Sequence, residues 1–306
     1  FKEKSPKIND LGLEIIGRKY VIINFLIIIQ ERMEITNRLV EESLSWKYSG
    51  SPISVRQDDL EELMKVALYC YQINEKIQFM ETLWNTEIEE ECTLIDIVYG
   101  CKNAMSKDVS DMLRELITKR CQQMDKDVNS ILCSCGKYTD AADNMSEYLS
   151  KRQNYLKLCV NHKEFGEFME SCFPNCRFAE GYREELKYIE DFEMSREEIV
   201  KCLALLDSRA LELYKKHRHN LIEAARILQA DMERTCALTD PKHRKSLQFT
   251  FSYEEENDEK RKIIECQPHF KLVRDDSNLR VYFYWQDTKI SNGEKVLIGR
   301  VGRHPY

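Results

Sequence analysis

The sequence predicts a mainly α protein: an irregular antiparallel helical bundle or array over residues 1–240, followed by a small antiparallel β module over 241–306. Three observations point there. Apolar side chains recur at steps of three and four through most of the first 236 residues, the period of one helix face. Gly (10) and Pro (6) are scarce in a 306-residue chain that is 32% charged, a composition of long helices rather than loop-rich β architecture. After Pro241 the period shortens to two, as in a half-buried strand.

Residues 10 to 47 read as a first long helix, closed by Ser49, Gly50, Ser51 and Pro52. Inside it lies the most apolar run, Tyr20 to Ile29, interrupted by Asn24 and bounded by Arg18, Lys19, Glu31 and Arg32. A membrane span needs roughly 20 apolar residues. This run is about half as long, so it reads as a buried core helix, with no membrane. A second helix begins near Asp58, where Asp58 and Glu61 resemble a capping pair, and carries Leu60, Leu63, Ala67, Cys70, Ile77, Met80 and Trp84 on one stripe. Thr93 to Asn103 gives a short third helix that ends around Gly100. Ser106 caps a fourth, whose stripe runs through Val109, Leu113, Leu116, Arg120, Met124, Val128 and Ile131 to Gly136. Helical segments follow at 139–160, 163–172 and 180–192, with Pro174 as a break.

The clearest helix signal starts at Ser195. Ser195 and Glu198 have the spacing of a capping box, and Ile199, Leu203, Leu206, Ala210, Leu213, Leu221, Ala224, Leu228 and Met232 continue one apolar face. A single long helix from about 196 to 236 is expected. Stripes of this kind can be buried only against one another, which makes a bundle or array the economical architecture. No fixed repeat period recurs.

In the C-terminal part Leu247, Phe249, Phe251 and Tyr253 alternate with Gln248, Thr250 and Ser252. Three more strands are expected at Phe270 to Val273, Leu279 to Trp285 and Val296 to Val301. Turn residues lie between them at 275–278 and at Ser291, Asn292 and Gly293, so the pattern is an antiparallel meander. Leu279, Val281, Phe283 and Trp285 share one face of the third strand. Arg280, Tyr282 and Tyr284 share the other, which either meets solvent or lies on the long helix.

The formal charge of −7 argues against a globally basic nucleic-acid binder. Two local basic clusters still stand out: Lys215, Lys216 and Arg218 beside Tyr214, and Lys242, Arg244 and Lys245. They can meet phosphates, with Tyr214 as a stacking surface, or form a solvated helix face. His217 falls on the apolar stripe and reads as a core or interface histidine. Twelve cysteines stand mostly in helical apolar registers, where free thiols behave as small hydrophobes, so a reducing, intracellular setting is expected.

Cys133, Cys135, Cys172 and Cys176, with His162 in reserve, form the best metal constellation, and structural zinc is the cofactor they would hold. Cys159 with His162 three residues on is the nearest approach to a nucleophilic dyad, without an orienting group. Phosphate-loop, dinucleotide, hydrolase-elbow and metalloprotease signatures are absent, and no enzymatic activity is expected. The high Cys content and long Lys/Glu-rich helices resemble in texture the large nuclear or germ-cell scaffold proteins of vertebrates. With no initiating Met, the chain reads as an excerpt of such a protein, nuclear rather than cytoplasmic. The expected function is a non-enzymatic protein–protein interaction scaffold whose protein partner is held by Tyr282, Tyr284 and Trp285. The alternatives are a nucleic-acid- or chromatin-associated module and, behind it, an enzyme with an unrecognised site.

Overall fold

The computed structural model describes residues 22–29, 32–100, 105–124, 137–142, 144–159, 161–238, 244–274 and 277–305. The chain divides into two compact units, 1–152 and 153–306, with the boundary inside the helix Met145–Leu156.

The first unit is built on a five-stranded mixed sheet, and this overturns the expected helical bundle. Strands β1 (Ile22–Ile29) and β2 (Arg32–Leu39) pair antiparallel from Ile22 opposite Leu39 to Ile29 opposite Arg32. The run read as a core helix is therefore a strand. Five of its eight residues are isoleucine, whose branched Cβ favours the extended chain. It also lies inside the sheet, between β2 and β7 (Lys137–Ala142), a position that tolerates continuous apolar sequence instead of alternation. With β3 (Ile77–Phe79) and β6 (Cys121–Gln123), both parallel to their neighbours, the order is β6-β3-β2-β1-β7. Strands β4 (Glu87–Glu89) and β5 (Cys92–Thr93) form a separate antiparallel pair.

The helices of this unit follow their sequence signals more closely. Gln57–Gln72 buries Leu60, Leu63, Ala67 and Cys70, although it ends before Ile77, which lies on β3. Thr93 closes a capping box with Asp96 on the helix Leu94–Val98. Ser106 caps Lys107–Glu115 by accepting from the Val109 N–H at 3.3 Å, and the stripe Val109, Leu113 and Leu116 is buried. That helix runs into a π-helical turn, Leu116–Arg120, and then into β6. Val128, Ile131 and Gly136 lie outside the described residues.

The second unit holds another mixed sheet, ordered β8-β14-β13-β12-β9. Its strands are β8 (Cys176–Phe178), β9 (Cys236–Ala237), β12 (His269–Lys271), β13 (Leu279–Tyr284) and β14 (Val296–Arg303). Three of the expected C-terminal strands are present, but β8 joins β14 in parallel and β9 joins β12, so the strands are not a local C-terminal meander. With sheets in both units the protein is an α/β mix, not a mainly α bundle. The fourth expected strand, β10 (Gln248–Glu255), pairs antiparallel with β11 (Asp258–Glu265) as a separate hairpin. Glu256 and Asn257 both adopt positive φ at its two-residue turn, as such hairpins require. The charged run after Glu254 thus holds a strand that lacks the apolar alternation of its partner.

The long helix expected over 196–236 is two helical segments. Phe192–Leu205 continues through a π-helical turn, Leu206–Ala210, into Leu211–Lys216. The helix Leu221–Met232 then starts anew, capped by Asn220, whose side chain accepts from the Glu223 N–H at 3.2 Å. Asparagine favours a cap over a helix interior, which explains the break. The apolar stripe is nevertheless real: Ile199, Leu203, Leu206, Ala210, Leu213, Ala224, Leu228 and Met232 are all buried. The helix begins at Phe192, after Asp191 in left-handed backbone, so Ser195 is a buried residue of its first turn and no cap.

Candidate interaction surfaces

The four cysteines read as a zinc constellation are not gathered by the described residues. Cys133 and Cys135 lie outside them. Cys172 donates its thiol to the Phe168 carbonyl at 3.4 Å. Burial, and then the neighbouring Asp207 carboxylate, hold the Cys176 thiol far above its ordinary pKa. Among the described residues no three His, Cys, Asp or Glu side chains converge on a metal position. Burial likewise raises the Cys159 thiol, which opposes the thiolate that a dyad with His162 would need. His162 instead sets its ring edge-on to Phe192, 6.3 Å between centroids.

Two buried polar clusters were not legible in the sequence. In the first unit Arg152, fully buried, donates to Glu75 Oε2 at 2.7 Å and to the Tyr148 hydroxyl at 3.1 Å. Asn37 donates to the same Glu75 oxygen at 3.1 Å, and the Cys70 thiol approaches the Tyr148 hydroxyl at 3.2 Å. Burial pushes the Cys70 thiol up to about 12. A protonated thiol inside a satisfied network is a structural group. In the second unit the π-helical turn carries the buried Asp207, whose carboxylate accepts from the Asn175 backbone N–H at 2.6 Å and its side-chain amide at 3.4 Å. Desolvation outweighs those bonds and raises Asp207 to about 6.

The three aromatic anchors expected on β13 do not share a surface. Tyr282 is fully buried: the β10–β11 hairpin covers its face, placing Phe249 against its ring at 6.4 Å, and its hydroxyl lies 3.1 Å from His304 Nδ1. Trp285 is 2% exposed, stacked on Tyr214 at 5.9 Å and edge-on to Phe283 at 5.2 Å. Tyr284, 37% exposed, alone reaches solvent. Burial, and next the adjacent Tyr214, hold its phenol above the ordinary range. The first basic cluster is exposed at Lys215, Lys216 and Arg218, while His217 is half-buried at the helix end. In the second cluster Lys242 lies outside the described residues, Arg244 pairs with Glu265 at 3.0 Å, and Lys245 is exposed. The packing of Tyr214 on Trp285 brings two sequence candidates, the first basic cluster and the β13 aromatics, to one place.

A further site carried no sequence signal. Tyr188, Ile189, Glu190, Asp191, Met194, Ser195, Val273, Arg274, Ser277, Asn278, Leu279 and Arg303 line a groove of about 510 Å³. A second hollow of about 430 Å³, between Gln229, Glu233, Arg234 and Thr235, shares the wall residues Val273 and Arg274 with this trough. One carboxylate fixes the wall. Glu198, on the helix Phe192–Leu205, accepts from the Val273 N–H at 2.9 Å and pairs with Arg234. Val273 sits at φ +67, a conformation that costs a β-branched residue on the order of 1–3 kcal/mol, and the Glu198 bond helps hold it there. At the rim Met194 is 81% exposed and Tyr188 53% exposed. Glu190 and Arg303 form a loose pair at 3.6 Å. The lining combines apolar side chains, Tyr188, Ile189, Met194, Val273 and Leu279, with the charged Glu190, Asp191, Arg274 and Arg303, a mixture common to sites that bind other molecules.

Among the described residues no helix is long and apolar enough to cross a membrane. No protein-family model, curated protein or solved structure matches the chain.

Proposed function

We propose that the protein is a non-enzymatic protein–protein interaction module whose partner docks an extended segment in the trough beside Val273. The observation that carries this reading is the exposed pair Tyr188 and Met194 on the rim of a groove whose walls are fixed by Glu198. Large apolar side chains left in solvent beside a preformed concavity have a use when a partner covers them. An apolar side chain of the partner rests on Tyr188, Met194 and Leu279, and a carboxylate beside it meets Arg303, displacing Glu190. The buried thiols Cys70, Cys176 and Cys202 suit a reducing setting.

The test is selection from a displayed peptide library, followed by affinity measurement on the selected peptides. Enriched peptides should pair a bulky apolar residue with an acidic one, and Met194→Asp should weaken them at least tenfold without shifting the melting temperature, since Met194 buries little in the free protein. Selected peptides that bind Met194→Asp and Tyr188→Ala as well as the parent would remove the trough from consideration.

A further inference from the structure

The trough leaves one surface unexplained, at the join of the helix Leu211–Lys216 and the end of β13. Tyr214 is anchored there by stacking on the buried Trp285, and Tyr284, next to Trp285 in the chain, stays partly exposed beside it. Lys215, Lys216 and Arg218 are exposed and take part in no ion pair among the described residues. Residues 211–220 hold a single carboxylate, Glu212; beyond them Asp287 lies near Tyr284 and Glu223 near His217, each already paired, with Lys262 and Arg226. A ring held by stacking and a second, partly exposed ring, next to cations that form no ion pair among the described residues, suit a chain of phosphates and flat bases, since every base has a π-face and every linkage a negative charge.

We propose that this face binds single-stranded nucleic acid, with bases stacking on Tyr284 and Tyr214 and phosphates meeting Lys215, Lys216 and Arg218. A duplex hides its base faces, and the six-residue helix is too short to read a groove, so the occupant is an unpaired strand. An acidic peptide would use the cations and ignore the rings. The net charge of −7 confines binding to this patch and keeps it weak and salt-sensitive.

The experiment is fluorescence anisotropy of labelled oligo(U) and oligo(dT) with the full chain, between 50 and 200 mM salt. Three phosphate contacts on a single strand give a slope of log K against log salt of about −2, an affinity loss of roughly 16-fold over that range. Lys215→Ala should reduce the slope by about 0.7. Tyr284→Ala should weaken binding roughly 5- to 150-fold at unchanged slope, and Tyr284→Phe should restore it, because stacking needs only the ring. Lys163→Ala, an exposed cation on the helix His162–Met169, should change nothing. Binding of either oligonucleotide with this pattern supports the proposal, and the stronger of the two identifies the natural strand. The proposal is overturned by absence of saturable binding at 50 mM salt, by equal binding of a duplex, by insensitivity to Tyr284→Ala, or by a Lys163→Ala loss matching that of Lys215→Ala. Equal competition by a glutamate-rich peptide, with Tyr284 indifferent, would reassign the face to an acidic protein.

Discussion

Asp207 shows how far one buried carboxylate can set a property of the whole chain. Its environment raises the pKa from an ordinary 3.8 to about 6, chiefly by desolvation. Between those values the folded protein holds a proton that the unfolded chain has released. Its contribution therefore favours folding at low pH and fades as pH rises from about 4 to beyond 6. Asp207→Asn keeps a carbonyl for the Asn175 N–H and removes the charge. Stability measured by urea unfolding at pH 4.5 and pH 7 should shift in favour of the variant at the higher pH. Parallel pH profiles for variant and parent would show that the carboxylate is not desolvated as described.

Among the elements, the hairpin β10–β11 owes its seat to one missing side chain. Gly299 is the extra residue of a bulge in β14, opposite the step from Tyr282 to Phe283. A Cβ placed there would stand 2.4 Å from Phe249 Cδ2 and 2.9 Å from Cys266 Sγ. The hairpin thus comes down directly on the backbone of β14, and this close approach is what buries Tyr282. Gly299→Ala should cost about 1–3 kcal/mol by overpacking, and Tyr282 should become more accessible to solvent, which iodination or hydroxyl-radical footprinting would register. An Ala variant as stable as the parent, with Tyr282 still protected, would contradict the packing.

For the whole molecule the division at residue 152 has a measurable consequence. Arg152 is fully buried and pairs with Glu75 at 2.7 Å, and deleting a partner of a buried charge is destabilising, by about 3 kcal/mol. Glu75→Ala should destabilise the first unit and raise hydrogen exchange in β2, β3 and the helix Gln57–Gln72. Amides of β13 and β14 should keep their protection, because these strands belong to the second compact unit. Equal loss of protection in both units would make the chain one cooperative body.

The sequence determined what depends on neighbours within a few residues. The caps at Thr93 and Ser106, the buried stripes of Gln57–Gln72 and Phe192–Lys216, and the strands at Gln248, Leu279 and Val296 follow from local periodicity and hydrogen-bonding chemistry. Tertiary structure decided what depends on distant partners. Ile22–Ile29 is a strand because β2 and β7 flank it, whereas its apolar run suits a buried helix equally well. The short strands Ile77–Phe79, Cys121–Gln123 and Cys176–Phe178 carry too few residues to show a period and exist through their parallel neighbours. The candidate sites divide in the same way. The cations beside Tyr214 were visible as a run. The trough joins residues 188–195 to 273–279 and Arg303, and the meeting of Tyr214 with β13 spans some seventy residues of chain, so each is a contact that no local pattern encodes.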